Sequence, residues 1–181
     1  MAVMVGEYDL IDKYIQVKER LYLLNTSKST VVSDIDNITL RYFGLNPASK
    51  GESIETARWL NQYLAGKGIV KELGDGLEIE LYKALNREKI AGPYQLSVLK
   101  SDFYQRLRVY LRRGDIDGEL QKARVYARDL ITLRLNKLTA LAVSTSENDK
   151  IMTILTPEES MVFEQIKKII KSWKNTVLGE F

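Results

Sequence analysis

Ser101–Leu107 reads Ser-Asp-Phe-Tyr-Gln-Arg-Leu and Leu130–Leu138 reads Leu-Ile-Thr-Leu-Arg-Leu-Asn-Lys-Leu; the stretch from Ser101 to Val143 that contains both decides the fold. Phe103, Leu107, Tyr110 and Leu111 recur at helical spacing. So do Leu120, Ala123, Ala127, Leu130, Arg134, Leu138 and Leu141. Gly114 to Gly118 separates the two runs, which predicts an antiparallel helical hairpin. No other segment has so long a periodic run, so this hairpin reads as the spine of a helical domain.

Working outward from the spine, Leu77, Leu81 and Leu85 make an amphipathic segment to about Ile90, ended by Ala91-Gly92-Pro93. Val143 to Lys150 is a polar loop. Thr156, Pro157 and Glu159 carry the signature of a capping box. The helix they open has a wide apolar face of Val162, Phe163, Ile166, Ile169, Ile170, Trp173 and Val177.

Before Gly76 the character differs. Gly6 to Glu19 has helical spacing, and Leu21 to Leu24 is a compact apolar run. Asn25 to Ser29 reads as a turn, Thr30 to Val32 as a short strand, and Ser33 to Asn37 as another turn. Ile38 to Phe43 alternates like a half-buried strand, and Gly44 to Gly51 is a loop. Glu55 to Ala65 is a short helix stopped by Gly66-Lys67-Gly68, and Ile69 to Leu73 is a strand. Gly74-Asp75-Gly76 is a hairpin turn or a linker. The expected fold is mainly α with a small α+β domain: a β-containing N-terminal domain over 1–73, then a helical bundle domain over 77–181.

Composition excludes much chemistry. The chain of 181 residues has no Cys and no His, so Cys nucleophiles, His general bases, Ser-His-Asp triads and Cys/His zinc sites are absent. No disulfide framework exists, which fits an intracellular protein. Hydrophobic content of 45% and charged content of 28% suit a folded domain. A net charge of +3 is too small to argue for nucleic acid by itself. Met1 to Gly6 does not read as a signal peptide, and no apolar run reaches the roughly 18 residues that span a membrane. Asp34/Asp36/Asn37 and Asp115/Asp117/Glu119 lack calcium-loop spacing and read as turns. No enzyme, no metal and no cofactor is expected.

In this order the segments resemble the GINS family of replication-fork proteins. The local matches are Ile54-Glu55-Thr56-Ala57-Arg58-Trp59-Leu60 with Leu64 and Gly68-Ile69-Val70, then Asp102-Phe103-Tyr104, then Leu130 through Arg134 to Lys137-Leu138. They look like an archaeal subunit of the small-domain-first type, related to eukaryotic Partner of Sld Five subunits two and three. Strand-like sequence ahead of the helices, and an end just past the last helix at Phe181, favour that type. Met1 to Leu24 has no match. The resemblance implies a non-catalytic subunit, paired with a second GINS-type subunit in a two-plus-two heterotetramer. It also implies contact with the MCM helicase, whose assembly and activation the complex serves. A RecJ-like partner related to eukaryotic Cdc forty-five is implied as well, and a cytoplasmic, nucleoid-associated location through the replisome.

The residues expected nearest a subunit boundary are Tyr104, Leu107, Leu111, Arg134, Ile166, Ile170 and Trp173. Arg134 interrupts an apolar stripe, so its charge must be paired or reach an edge. An inter-subunit ion pair and an intradomain pair with Glu80 or Asp102 both satisfy it. Arg106, Arg108, Arg112 and Arg113 cluster around Tyr110. They suit phosphate contact with stacking, or a solvated helix C-terminus. The alternative reading is a winged-helix DNA-binding regulator, with Glu55 to Ala65 as recognition helix, Ile69 to Leu81 as wing and the long helices dimerising. The strand and loop upstream of Glu55, and the acidic wing, argue against it. Strong specific DNA binding is therefore not expected.

Overall fold

The computed structural model describes residues 2–33, 42–44, 46–73, 76–112, 118–144 and 149–179. Its contacts divide the chain into two compact units, one of residues 16–75 and one of residues 1–15 with 76–181. The division falls inside the first helix, α1 (Ala2–Leu24). Gly6 to Glu19 and Leu21 to Leu24 thus belong to one continuous helix.

The smaller unit is built on a three-stranded antiparallel sheet, β1 (Thr26–Val31), β2 (Ser53–Ala57) and β3 (Val70–Glu72), in the order β2-β1-β3. Thr26 faces Ala57 and Thr30 faces Ser53 on one side, while Val31 faces Val70 on the other. The helix α2 (Arg58–Gly66) packs Leu60 and Leu64 against Val31 and Val70. Gly68, at φ +70°, takes the left-handed turn that stops the helix, and Ile69 N–H bonds back to Leu64 O at 3.0 Å.

Two expectations for this unit are corrected, and a third falls mostly outside the described residues. Asn25 to Ser29 is not a turn, since Thr26 to Ser29 form most of the central strand. Their small hydroxyl side chains read as turn chemistry. In the fold Thr26 donates to Glu55, while Ser27 and Ser29 meet Asn61, whose amide is matched at every valence. Its Oδ1 accepts from Ser29 Oγ (2.8 Å) and Thr56 Oγ1 (2.7 Å), and its Nδ2 donates to Ser27 O (2.7 Å) and Ser27 Oγ (2.8 Å). Glu55 to Ala57 belongs to β2 rather than to the helix, because pairing with Thr26 to Lys28 outweighs local helical preference. Most of the Ile38 to Phe43 strand lies outside the described residues, and Tyr42 and Phe43 are not in a strand.

The larger unit contains α3 (Leu77–Ile90), α4 (Phe103–Leu111), α5 (Glu119–Ser144), a single turn α6 (Asp149–Met152) and α7 (Pro157–Leu178). Val143 and Ser144 therefore end α5, and Asp149 and Lys150 begin α6, where a loop was expected; residues 145–148 lie outside the described set. The Gly114 to Gly118 break is likewise undescribed up to residue 117. α4 and α5 run antiparallel. Arg124, near the start of α5, donates to Leu111 O at the end of α4 (2.7 Å), while Tyr104 and Arg134 meet on Glu159. Even so, α5 packs mainly on α3 and α7.

Two apolar clusters lie along α5. Ala123, Ala127 and Leu130 join Leu77, Leu81, Leu85, Leu99, Phe103 and Leu107. One turn beyond Arg134, Leu138, Leu141 and Ala142 join Phe163, with Ile166 and Ile170 packed against them. The interrupted stripe is thus two cores separated by one charged residue.

Candidate subunit interface and the ion layer behind it

Arg134 is 1% exposed and lies between the two clusters. Its guanidinium grips Glu159 with two hydrogen bonds, Nε to Oε1 and Nη2 to Oε2 (2.9 Å). Nη1 donates to Glu88 Oε2 (2.8 Å) and Ser97 O (2.8 Å). Lys137, one turn on, donates to Glu88 O (2.7 Å) and Ala91 O (3.0 Å), with its ammonium 2.9 Å from Glu88 Oε1. Tyr104 donates its hydroxyl to Glu159 Oε1 (2.7 Å). Glu159 has a second duty, since its carboxylate accepts from Thr156 N–H (3.1 Å) while Thr156 Oγ1 accepts from Glu159 N–H (3.3 Å). The expected capping box is formed, and it aims the Glu159 carboxylate at Arg134.

Two carboxylates and two cations make this layer neutral, which is the condition for keeping charges in a dry interior. Burial by itself pushes the Glu88 carboxyl up, but hydrogen bonds from Ser97 and Lys137 and the Arg134 charge hold it below the ordinary carboxylate range. Tyr104 is pushed well above its ordinary value, first by burial and then by Glu159. For Arg134, burial pulls the value down but Glu159 outweighs it, so the guanidinium stays charged.

These contacts decide between the two readings of Arg134 in favour of the intradomain pair and correct only its partners. Its ion-pair partners lie within this chain, and they are Glu88 and Glu159, so the pairing needs no second subunit. Glu80 and Asp102, the expected candidates, face Arg106 instead, at 2.7 Å and 4.0 Å. Arg106 is therefore 5% exposed and turned inward, which removes it from any phosphate-binding row. Burial raises Glu80, but Arg106 and Lys100 hold it below the ordinary range. Arg108 is half-buried, Arg112 is exposed, and Arg113 lies outside the described residues. Among the described residues the arginines do not converge.

Beside the ion layer lies a groove of about 510 Å³, walled by α4, α5 and α7, with Ile15 of α1 at its edge. Tyr104, Leu107, Leu111 and Arg134 line it, which brings together four of the seven boundary candidates. Ile166 and Ile170 do not reach it; they lie half-buried on the second cluster. Trp173 stands farther along α7, exposed. Sequence reasoning missed Ile131, Leu135 and Val162. The groove uses all three, and Ile131 and Leu135 are 43% and 45% exposed. A signal for two of them existed. Ile131 and Leu135 follow Leu130 and Arg134 by one position each, so they form a second apolar row beside the core row. An apolar row that the bundle leaves uncovered on a long helix can seat another helix.

The winged-helix alternative fails on geometry. The second wing strand is the first turn of α3, and the element before α2 is strand β2. Among the described residues no group of His, Cys, Asp or Glu gathers to hold a metal ion, and no helix is long and apolar enough to cross a membrane.

The family model for the GINS complex subunit Psf2/Psf3-like N-terminal domain matches residues 78–180. That span is nearly all of α3 through α7 and contains both the ion layer and most of the groove wall. No curated protein sequence matches the chain.

Proposed function

The chain belongs to the GINS family of replication-complex subunits, and on that premise we propose that its groove seats a helix of a second GINS-type subunit. GINS subunits are structural, non-catalytic components that assemble with one another. In the finer reading this is an archaeal, small-domain-first subunit in a two-plus-two heterotetramer. The complex helps to assemble and activate the MCM helicase at the fork, together with a RecJ-like partner, in the cytoplasm at the nucleoid. The carrying observation is the exposed Ile131–Leu135 row over an apolar groove, within the span that matches the family.

The proposal is tested by co-expression with a candidate GINS-type partner and mass measurement by light scattering. Leu135→Asp places a charge in the groove mouth. Losing one anchor of this kind costs about 2 kcal/mol of association, or about 30-fold in affinity. A wild-type chain that stays monomeric beside every GINS-type partner overturns the proposal, as does a Leu135→Asp chain that assembles normally.

A further inference from the structure

Three aromatic rings of the smaller unit lie outside its core. Leu60 and Leu64 of α2 join Val31 and Val70, whereas Trp59 and Tyr63, each one position earlier, lie side by side on the neighbouring flank of the helix. Phe43, from the turn over 42–44, sits against both. Its ring centroid is 6.2 Å from that of Trp59 and 6.1 Å from that of Tyr63, at interplanar angles of 66° and 55°, so neither pair is stacked face to face. Phe43, Trp59 and Tyr63 are 36%, 44% and 50% exposed. A contiguous aromatic surface that the core does not use marks a place where something else docks.

The polar groups around the rings say what docks. Among the described residues nothing accepts a hydrogen bond from the indole Nε1 of Trp59 or from the hydroxyl of Tyr63. Lys67, four positions after Tyr63, holds its ammonium 5.8 Å from the centre of the Tyr63 ring and has no carboxylate partner among the described residues. A matching guest carries apolar rings, free carbonyl acceptors and one negative charge. We propose that this platform binds an extended, proline-rich segment of another protein in the polyproline II conformation, with a carboxylate at its Lys67 end. Such a segment has no internal hydrogen bonds, so its carbonyls are free to accept from Trp59 and Tyr63, and its rigidity lowers the entropy lost on docking. Trp59 and Lys67 are eight positions apart, about 12 Å along a helix. That span matches about four residues of polyproline II, which places the carboxylate about four residues from the proline on Trp59.

Other guests fit less well. An α-helix uses its backbone carbonyls in its own ladder and leaves the Trp59 and Tyr63 donors unmet. A single-stranded nucleic acid can stack on the rings, but it brings a charge with every nucleotide to a single lysine. Residues 16–75 carry eight Lys and Arg against seven Asp and Glu, so the unit offers no wider positive field. A cationic guest in the ring cluster meets the Lys67 charge. This chain has three prolines, Pro47, Pro93 and Pro157, far apart from one another, so a second copy supplies no such segment. The inference concerns the smaller unit alone and stands whether or not the groove seats a GINS subunit.

The chain has two tryptophans, so Trp173→Phe leaves Trp59 as the sole reporter. Its emission is followed while adding a synthetic proline-rich peptide with aspartates at either end, the same peptides with lysines instead, a helical peptide rich in glutamate, or a single-stranded oligothymidine. Calorimetry on the wild-type chain gives an independent reading. One aspartate peptide should shift Trp59 to the blue and bind at least about tenfold tighter than its lysine counterpart, with affinity falling as salt rises. Tyr63→Ala, at a half-exposed site, should weaken that binding at least about tenfold while the circular dichroism spectrum is unchanged. Lys67→Glu should reverse the preference between the aspartate and lysine peptides. Equal binding of the two, no binding of any proline-rich peptide, or binding of only the helical peptide or the oligonucleotide overturns the proposal.

Discussion

Each unit buries a polar hub, and the two hubs work differently. Asn61 in the smaller unit is neutral, and its two donors and two acceptors all meet Ser27, Ser29 and Thr56. Arg134 in the larger unit is charged, and it draws groups from α3, α5 and α7 and the Ser97 segment into one neutral layer. A neutral hub ties strand to helix at modest cost when broken. A charged hub ties several helices together, but removing one member strands the others unpaired.

The largest effect should come from breaking the charged hub. Arg134→Met leaves Glu88 and Glu159 buried without their principal cation and should cost about 3–5 kcal/mol of the helical unit's stability, measured by urea denaturation followed by far-UV circular dichroism. Adding Glu159→Gln should recover part of that loss; no recovery would mean that packing rather than charge dominates. Asn61→Ala should cost less, about 1–3 kcal/mol, because neutral hydroxyls and one carbonyl lose their partner. Trp59, exposed on α2 of the same unit, reports that transition. If Asn61→Ala proves as costly as Arg134→Met, the contrast between the hubs is wrong.

Acid sharpens the contrast further. Glu88 and Glu80 are held below the ordinary carboxylate range in the folded chain. The unfolded chain therefore takes up protons first, near pH of about 4.3. Their contribution is complete above that value and is lost as pH falls through the folded-state values. The helical unit should lose stability over this window while the Asn61 contacts, which do not titrate, contribute unchanged. Parallel urea melts between pH 7 and pH 3, read by circular dichroism and by Trp59, check this. The smallest effect is expected in the groove. Leu135→Asp should change the isolated chain's stability by no more than about 0.5 kcal/mol, since the site is half in solvent. A larger loss would make Leu135 part of the core.

Helical periodicity placed α3 and both spine helices, because each repeats its apolar residues every three or four positions against one core. The Thr156–Glu159 capping box was equally legible, since all its parts lie within four residues. The partners of Arg134 were not. Glu88 is 46 positions away and Glu159 is 25 away, and no local pattern separates them from Glu80 or Asp102. The first part of β1 was hidden for a related reason, because its inward residues, Ser27 and Ser29, are serines whose burial makes sense only once Asn61 faces them. Periodicity by itself thus determined which residues share a helix face. Only the tertiary structure showed that the row beside the Leu130–Arg134 stripe, Ile131–Leu135, is left partly in solvent. Amphipathicity sets the direction of an apolar face but not how much of it the rest of the chain is long enough to cover.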